Sequence, residues 1–106
     1  MSSVNLSAVL PATRKSGAGL AISDLASVTF LRDIGAGAVE LATVAGPFGS
    51  NTLSYVDSQP APGTNAYSFY VTDTTGVKGD VSAAVSVNNV VADPPVAGTL
   101  TASLVA

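Results

Sequence analysis

Apolar and small polar residues alternate one by one through most of this chain, and no long window repeats at the three-and-four spacing of a helix. A period of two places successive side chains on opposite faces of a strand, so this pattern commits the chain to β-structure. Val4, Leu6 and Ala8 alternate with Asn5 and Ser7, and Pro11 closes that segment. In "LASVTFLRD", Leu25, Val28 or Phe30 stand against Ser27 and Thr29, and "DIGAG" ends the run. "AVELATVAG" and "NTLSYVD" are two further strands separated by "GPFGS". Tyr67, Phe69 and Val71 then point one way and Ser68, Tyr70 and Thr72 the other, and after "DTTGVKGD" the return strand carries Ala83, Val85 and Val87.

The connections are as directive as the strands. "PATRKSGAGL" is a turn-rich connector. In "SQPAPGT", Pro60 and Pro62 fix φ while Gly63 is free to take a positive one. Short strands at such regular spacing predict an antiparallel sandwich or barrel. The expected core is Leu6, Leu20, Leu25, Val28, Phe30, Leu41, Leu53, Tyr67, Phe69, Val71 and Val85.

A length of 106 residues suits one domain with one core. Apolar residues make up 47% of the chain and charged ones 10%, a sparsely charged composition that suggests a surface partly covered by a partner. The net charge is −3, and the four bases Arg14, Lys15, Arg32 and Lys78 are scattered rather than aligned along a phosphate track, which argues against nucleic-acid binding. There is no cysteine, so the core must hold the fold without a disulfide. No apolar run approaches the roughly 18 residues of a membrane span. In "MSSVNLSAVLPATRK" the basic residues follow the apolar run, the reverse of a secretory signal, and the expectation is a product made and used in the cytosol or released by lysis.

"LSAVLPATRKSGAGLAISDLASVTF", then "SYVDSQPAPGTNAYSFYVTDTTG" and "SAAVSV", resembles a fibronectin type III domain, an immunoglobulin-like β-sandwich. The likeness is carried by Pro11, Thr13, Gly17, Leu20, Leu25, Val28 and Phe30, and further on by Asp57, Pro62, Gly63, Thr64, Tyr67, Phe69, Val71, Asp73, Gly76 and Ser82. It spans about residues 4 to 87, with the "PGT…Y.F.V.D..G" run its most specific part. It implies a sandwich of about seven strands, with residues 1–91 as the module and 92–106 as an extra, proline-led carboxy-terminal segment. Ala8 stands where the family has a core tryptophan, and two residues separate Thr64 from Tyr67 where many members have one.

The resemblance also makes Val4 to Val9 the second strand of the family, with the first one missing. A sandwich lacking its first strand exposes an edge of unpaired N–H and C=O groups. In "DPPVAGTLTASLVA", meanwhile, Leu100, Ala102 and Leu104 alternate with Thr99, Thr101 and Ser103, like the strand that opens a following module. The expectation is that Val96 to Val105 fills a vacant edge, in a neighbouring subunit or by folding back on its own domain.

Chemistry has few candidates. Without His or Cys, the usual general bases and thiolates are missing, and Asp24, Asp33, Glu40, Asp57, Asp73, Asp80 and Asp93 mostly fall where a carboxylate caps a turn; no enzyme is expected. Asp73 and Asp80 flank one loop but lack the dense Asp/Asn pattern of a calcium site, so no metal and no cofactor are expected. "KSGAG" and "DIGAGAVE" lack the helix and the Gly-Lys-Ser/Thr ending of a phosphate loop. Lys78-Gly79-Asp80 sits where adhesive members of the resembled family carry Arg-Gly-Asp, and reads as hairpin closure.

The candidate interface residues are therefore Val96, Leu100, Ala102 and Leu104 on the tail, with Phe48 and Tyr70 as aromatic anchors. The module looks like an accessory structural protein of a bacteriophage virion (a capsid decoration, collar or tail protein), whose partners are capsid or tail subunits or further copies of itself. The other reading is an adhesion module that holds cells or carbohydrate through "GPFGS" and "TGVKGD". Exposed apolar area separates the two: on the edge and tail for the first, on the loop tips for the second.

Overall fold

The computed structural model describes residues 3–89 and 97–105. Val90, Val91, Asp93-Pro94-Pro95 and the interface candidate Val96 lie outside the described residues. Six strands run in order: β1 (Val4–Val9), β2 (Leu25–Asp33), β3 (Ala38–Ala45), β4 (Thr52–Asp57), β5 (Gly63–Asp73) and β6 (Val85–Asn89). They form two antiparallel sheets, β1-β4 and β3-β2-β5-β6. The fold is all-β and sandwich-like, as the alternation predicts. The difference from about seven strands lies in the tail: a strand exists by its ladder with a neighbour, and residues 97–105 have none among the described residues.

The inner faces meet around Phe30. Its ring stacks on Tyr55 of β4 at 5.2 Å between centroids and tilts against Phe69 of β5 at 6.3 Å. Ala8 and Leu10 from the β1 segment, Leu25, Val28 and Phe30 from β2, and Val71 from β5 form the buried cluster. Leu6, Leu20, Leu41, Leu53 and Phe69 pack half-buried around it. Leu25 and Val28 share a face although they are three apart, because the pairing of β2 with β5 skips Ala26, and one extra residue inverts the parity.

The core differs from the expected one in two places. Val4, Ala8 and Leu10, outside the expected list, are buried, Ala8 and Leu10 within the main cluster. Val85 was expected inside and is 66% exposed. It pairs with Tyr67 and so shares that residue's inward face, but the two-stranded sheet does not extend over it.

The "SQPAPGT" turn is bolted from inside. Gly63 takes φ +87 as the turn requires. The fully buried Asn65 side chain accepts from the Ala61 N–H at 3.0 Å and donates to the carbonyls of Ala61 and Gly63. Asn89 on β6 donates to the carbonyls of Pro60 and Ala61. A buried amide is tolerated only when its donors and acceptor are met, as here.

Phe30→Ala is expected to lower the unfolding free energy by about 3–5 kcal/mol, and Val85→Ala by no more than about 0.5 kcal/mol. Urea denaturation of the two variants checks both.

Candidate functional site

Three arrangements involve the polar and exposed groups. The first joins the two sheets. Asp57, at the end of β4, accepts at Oδ2 from the Tyr67 hydroxyl on β5 at 2.7 Å and from Arg32 Nη1 on β2 at 2.8 Å. Arg32 also donates to the Gln59 carbonyl, and the Gln59 N–H donates to Asp57 Oδ1. Burial pulls the Asp57 pKa upward, but the Tyr67 hydroxyl, Arg32 and the Gln59 N–H together hold it below its ordinary value. Burial, and then the bond to the anionic Asp57, push the Tyr67 hydroxyl up to about 12. The sequence marks Tyr67 as core and Asp57 as a turn acid; their meeting depends on sheet packing and leaves no local signal.

The second arrangement is the β5–β6 connection. Asp73 Oδ1 accepts from the Thr75 hydroxyl and from the N–H groups of Thr75 and Val77, and Oδ2 accepts from Arg14 Nη1 at 3.0 Å. These donors, the Thr75 hydroxyl first, hold Asp73 well below the usual carboxylate range. Asp80 instead pairs with Lys15 at 3.1 Å on the surface, a contact of small worth in water. Lys78 lies 4.1 Å over the Tyr70 ring, and the Gly79 N–H donates to the Val71 carbonyl at 2.7 Å, so Lys78-Gly79-Asp80 is fastened along β5. Each of the four cations thus has a carboxylate or a ring beside it. Asp24 and Asp33 accept from the backbone N–H groups of Ala21 and of Gly35 and Gly37, the turn capping expected of them. Among the described residues there is no cluster of three metal-ligating side chains.

The third arrangement is an open edge. β1 pairs with β4, and no strand lies on its other side among the described residues. The Leu10 N–H donates to the Asn51 carbonyl at 2.7 Å, in register with the pairing of Val9 to Thr52. Antiparallel ladders alternate, so the even-numbered residues of β1 bond β4, and Asn5, Ser7 and Val9 turn their main-chain groups outward. Beside that edge lies a cleft of about 350 Å³, walled by Leu6 and Ala8 on one side and by Phe69, Val85 and Val87 on the other, with no charged residue in its lining.

Of the expected interface residues, Leu100, Ala102 and Leu104 are exposed, the two leucines at 93% and 96%. Phe48 is half-buried against the core, and Tyr70 is half-buried beneath Lys78. The chain matches no family model, no curated protein and no solved structure.

The Asp57 node makes stability depend on pH at both ends. A lowered carboxylate pKa stabilises the fold above the unfolded value near 3.8, and that contribution is lost as pH falls through the acid range. Asp73 acts with the same sign. A raised tyrosine pKa stabilises below the unfolded value of 10.0, and that contribution is lost as pH rises toward about 12. Melting temperature against pH is expected to show a plateau with an acid and an alkaline fall. Tyr67→Phe should remove most of the alkaline fall and lower the unfolding free energy at neutral pH by about 1–3 kcal/mol, and Asp57→Asn should shrink the acid fall while leaving the part due to Asp73.

Proposed function

We propose that this chain is a non-enzymatic structural protein of a bacteriophage particle, docking on the virion lattice by strand pairing and apolar contacts. The observation that carries the reading is the tail. Residues 97–105 alternate Leu100, Ala102 and Leu104 with Thr and Ser, contain no charge and no proline, and expose Leu100, Leu104 and Val105 almost completely. Soluble proteins rarely leave such a segment uncovered when they act alone.

The module supports this reading in two ways. Its two antiparallel sheets fit the fibronectin type III resemblance, and among the described residues no strand lies on the outer side of β1, in keeping with that resemblance. Its acids and bases are engaged in turns and ion pairs that serve the fold. The placement in a virion rests on the likeness to cysteine-free, fibronectin-like modules of phage particles. Exposed apolar area favours docking over adhesion: the β5–β6 loop offers Val77 and Val81, both less exposed than the tail leucines and flanking a segment already fastened to β5.

The full chain is expected to co-purify with particles of its source, and a chain ending at residue 92 to lose that association while its circular dichroism still shows the folded module. Particles that keep the shortened chain at full level, or that never carry the protein, contradict the reading.

A further inference from the structure

We propose that residues 97–105 of one copy add as a third strand to the outer edge of β1 in a second copy, seating Leu100, Ala102 and Leu104 in the cleft beside it. The inference rests on the assembly reading above and names both halves of the joint.

The acceptor follows from a mismatch in sheet width. Strands in a sheet lie about 4.8 Å apart, so two strands leave part of a four-stranded sheet uncovered. On the side of β1, the uncovered part is β6, whose inward-facing Val85 stays 66% exposed at the mouth of the cleft. One further strand beside β1 would lie over Val85 and Val87 and close the sandwich. That edge is ready to pair: Asn5, Ser7 and Val9 present their N–H and C=O groups to it. Edge strands that must stay single are usually guarded by charge, proline or irregularity. β3, the far edge of the large sheet, has Glu40 and a register break opposite Phe30 and Leu31. β1 reads Val-Asn-Leu-Ser-Ala-Val and has no such guard.

The occupant follows from the chemistry of the tail. It alternates apolar with Thr and Ser, so one face suits a dry cleft and the other suits water. Tail and cleft lining are both uncharged, so neither buries an unpaired charge against the other. Nine described tail residues exceed the six of β1, enough to run its full length. A donor segment on one end and an acceptor edge on the other make a head-to-tail contact, in which each copy gives one strand and takes one.

The test uses full-length chains altered at exposed positions. Leu104→Asp disables the donor and leaves the acceptor; Val85→Asp does the reverse. In sedimentation experiments the unaltered protein is expected to assemble with rising concentration. Each variant alone should associate at least about tenfold more weakly, and an equimolar mixture of the two should recover one-to-one dimers. In the assembled protein the amides of Asn5, Ser7 and Val9 should gain hydrogen-exchange protection that Leu104→Asp removes. Circular dichroism of the separate variants should match that of the parent.

A parent that stays monomeric, variants that assemble as the parent does, or a mixture that fails to complement overturns the proposal. So does a monomer whose β1 amides are protected in a tail-dependent way, which would mean that the tail folds back on its own module. Particle binding that survives in a strictly monomeric protein would remove this inference and leave the assembly reading standing. Loss of particle binding with head-to-tail dimers intact would do the opposite.

Discussion

The β1–β4 ribbon keeps its place by lying on the inner face of the larger sheet, since a lone pair of strands is marginal in water at best. Apolar contact from Ala8, Leu10 and Tyr55 supplies the area. The Asp57 carboxylate, held by Arg32 and Tyr67, supplies a directional tie between β4 and the two central strands of the other sheet. Removing Asp57 leaves the Tyr67 hydroxyl without this acceptor, and removing either donor takes a bond from a buried carboxylate, so the tie also fixes which part of the large sheet is covered. The open cleft beside β1 is the other face of the same constraint.

Much of the fold is legible in the sequence because its signals are local. Alternation locates all six strands, and Gly63 and the prolines mark the hardest turn. Misreadings occur where the signal is not local. Alternation says which way Val85 points but not whether a layer lies over it, and that depends on how many strands the opposite sheet has. Ala26 inverts the parity of β2 through a bulge that its composition does not announce. Ala8, standing where the resembled family has a tryptophan, is itself buried in the core cluster, a packing outcome that its small size does not announce.

The candidate site divides along the same line. The tail leucines stand out by their period, and the turn acids by their residue type. The meeting of Arg32, Asp57 and Tyr67, the parity of the free groups on β1, and the cleft are products of register and packing. Phe48 and Tyr70 show the converse: an aromatic residue in a loop or on an outward strand position looks free in sequence, yet one caps the core and the other carries a lysine.

The neutrality of the tail and the cleft has a consequence for how such a joint would respond to its surroundings. Contacts between charges fade as ions screen them, on a length of about 8 Å at physiological ionic strength, but these surfaces offer nothing for ions to screen. Their affinity would follow the state of the water instead, slackening in the cold and tightening in sulfate-type salts that strengthen burial. Dilution and chilling, rather than salt or mild acid, would be the means of taking it apart.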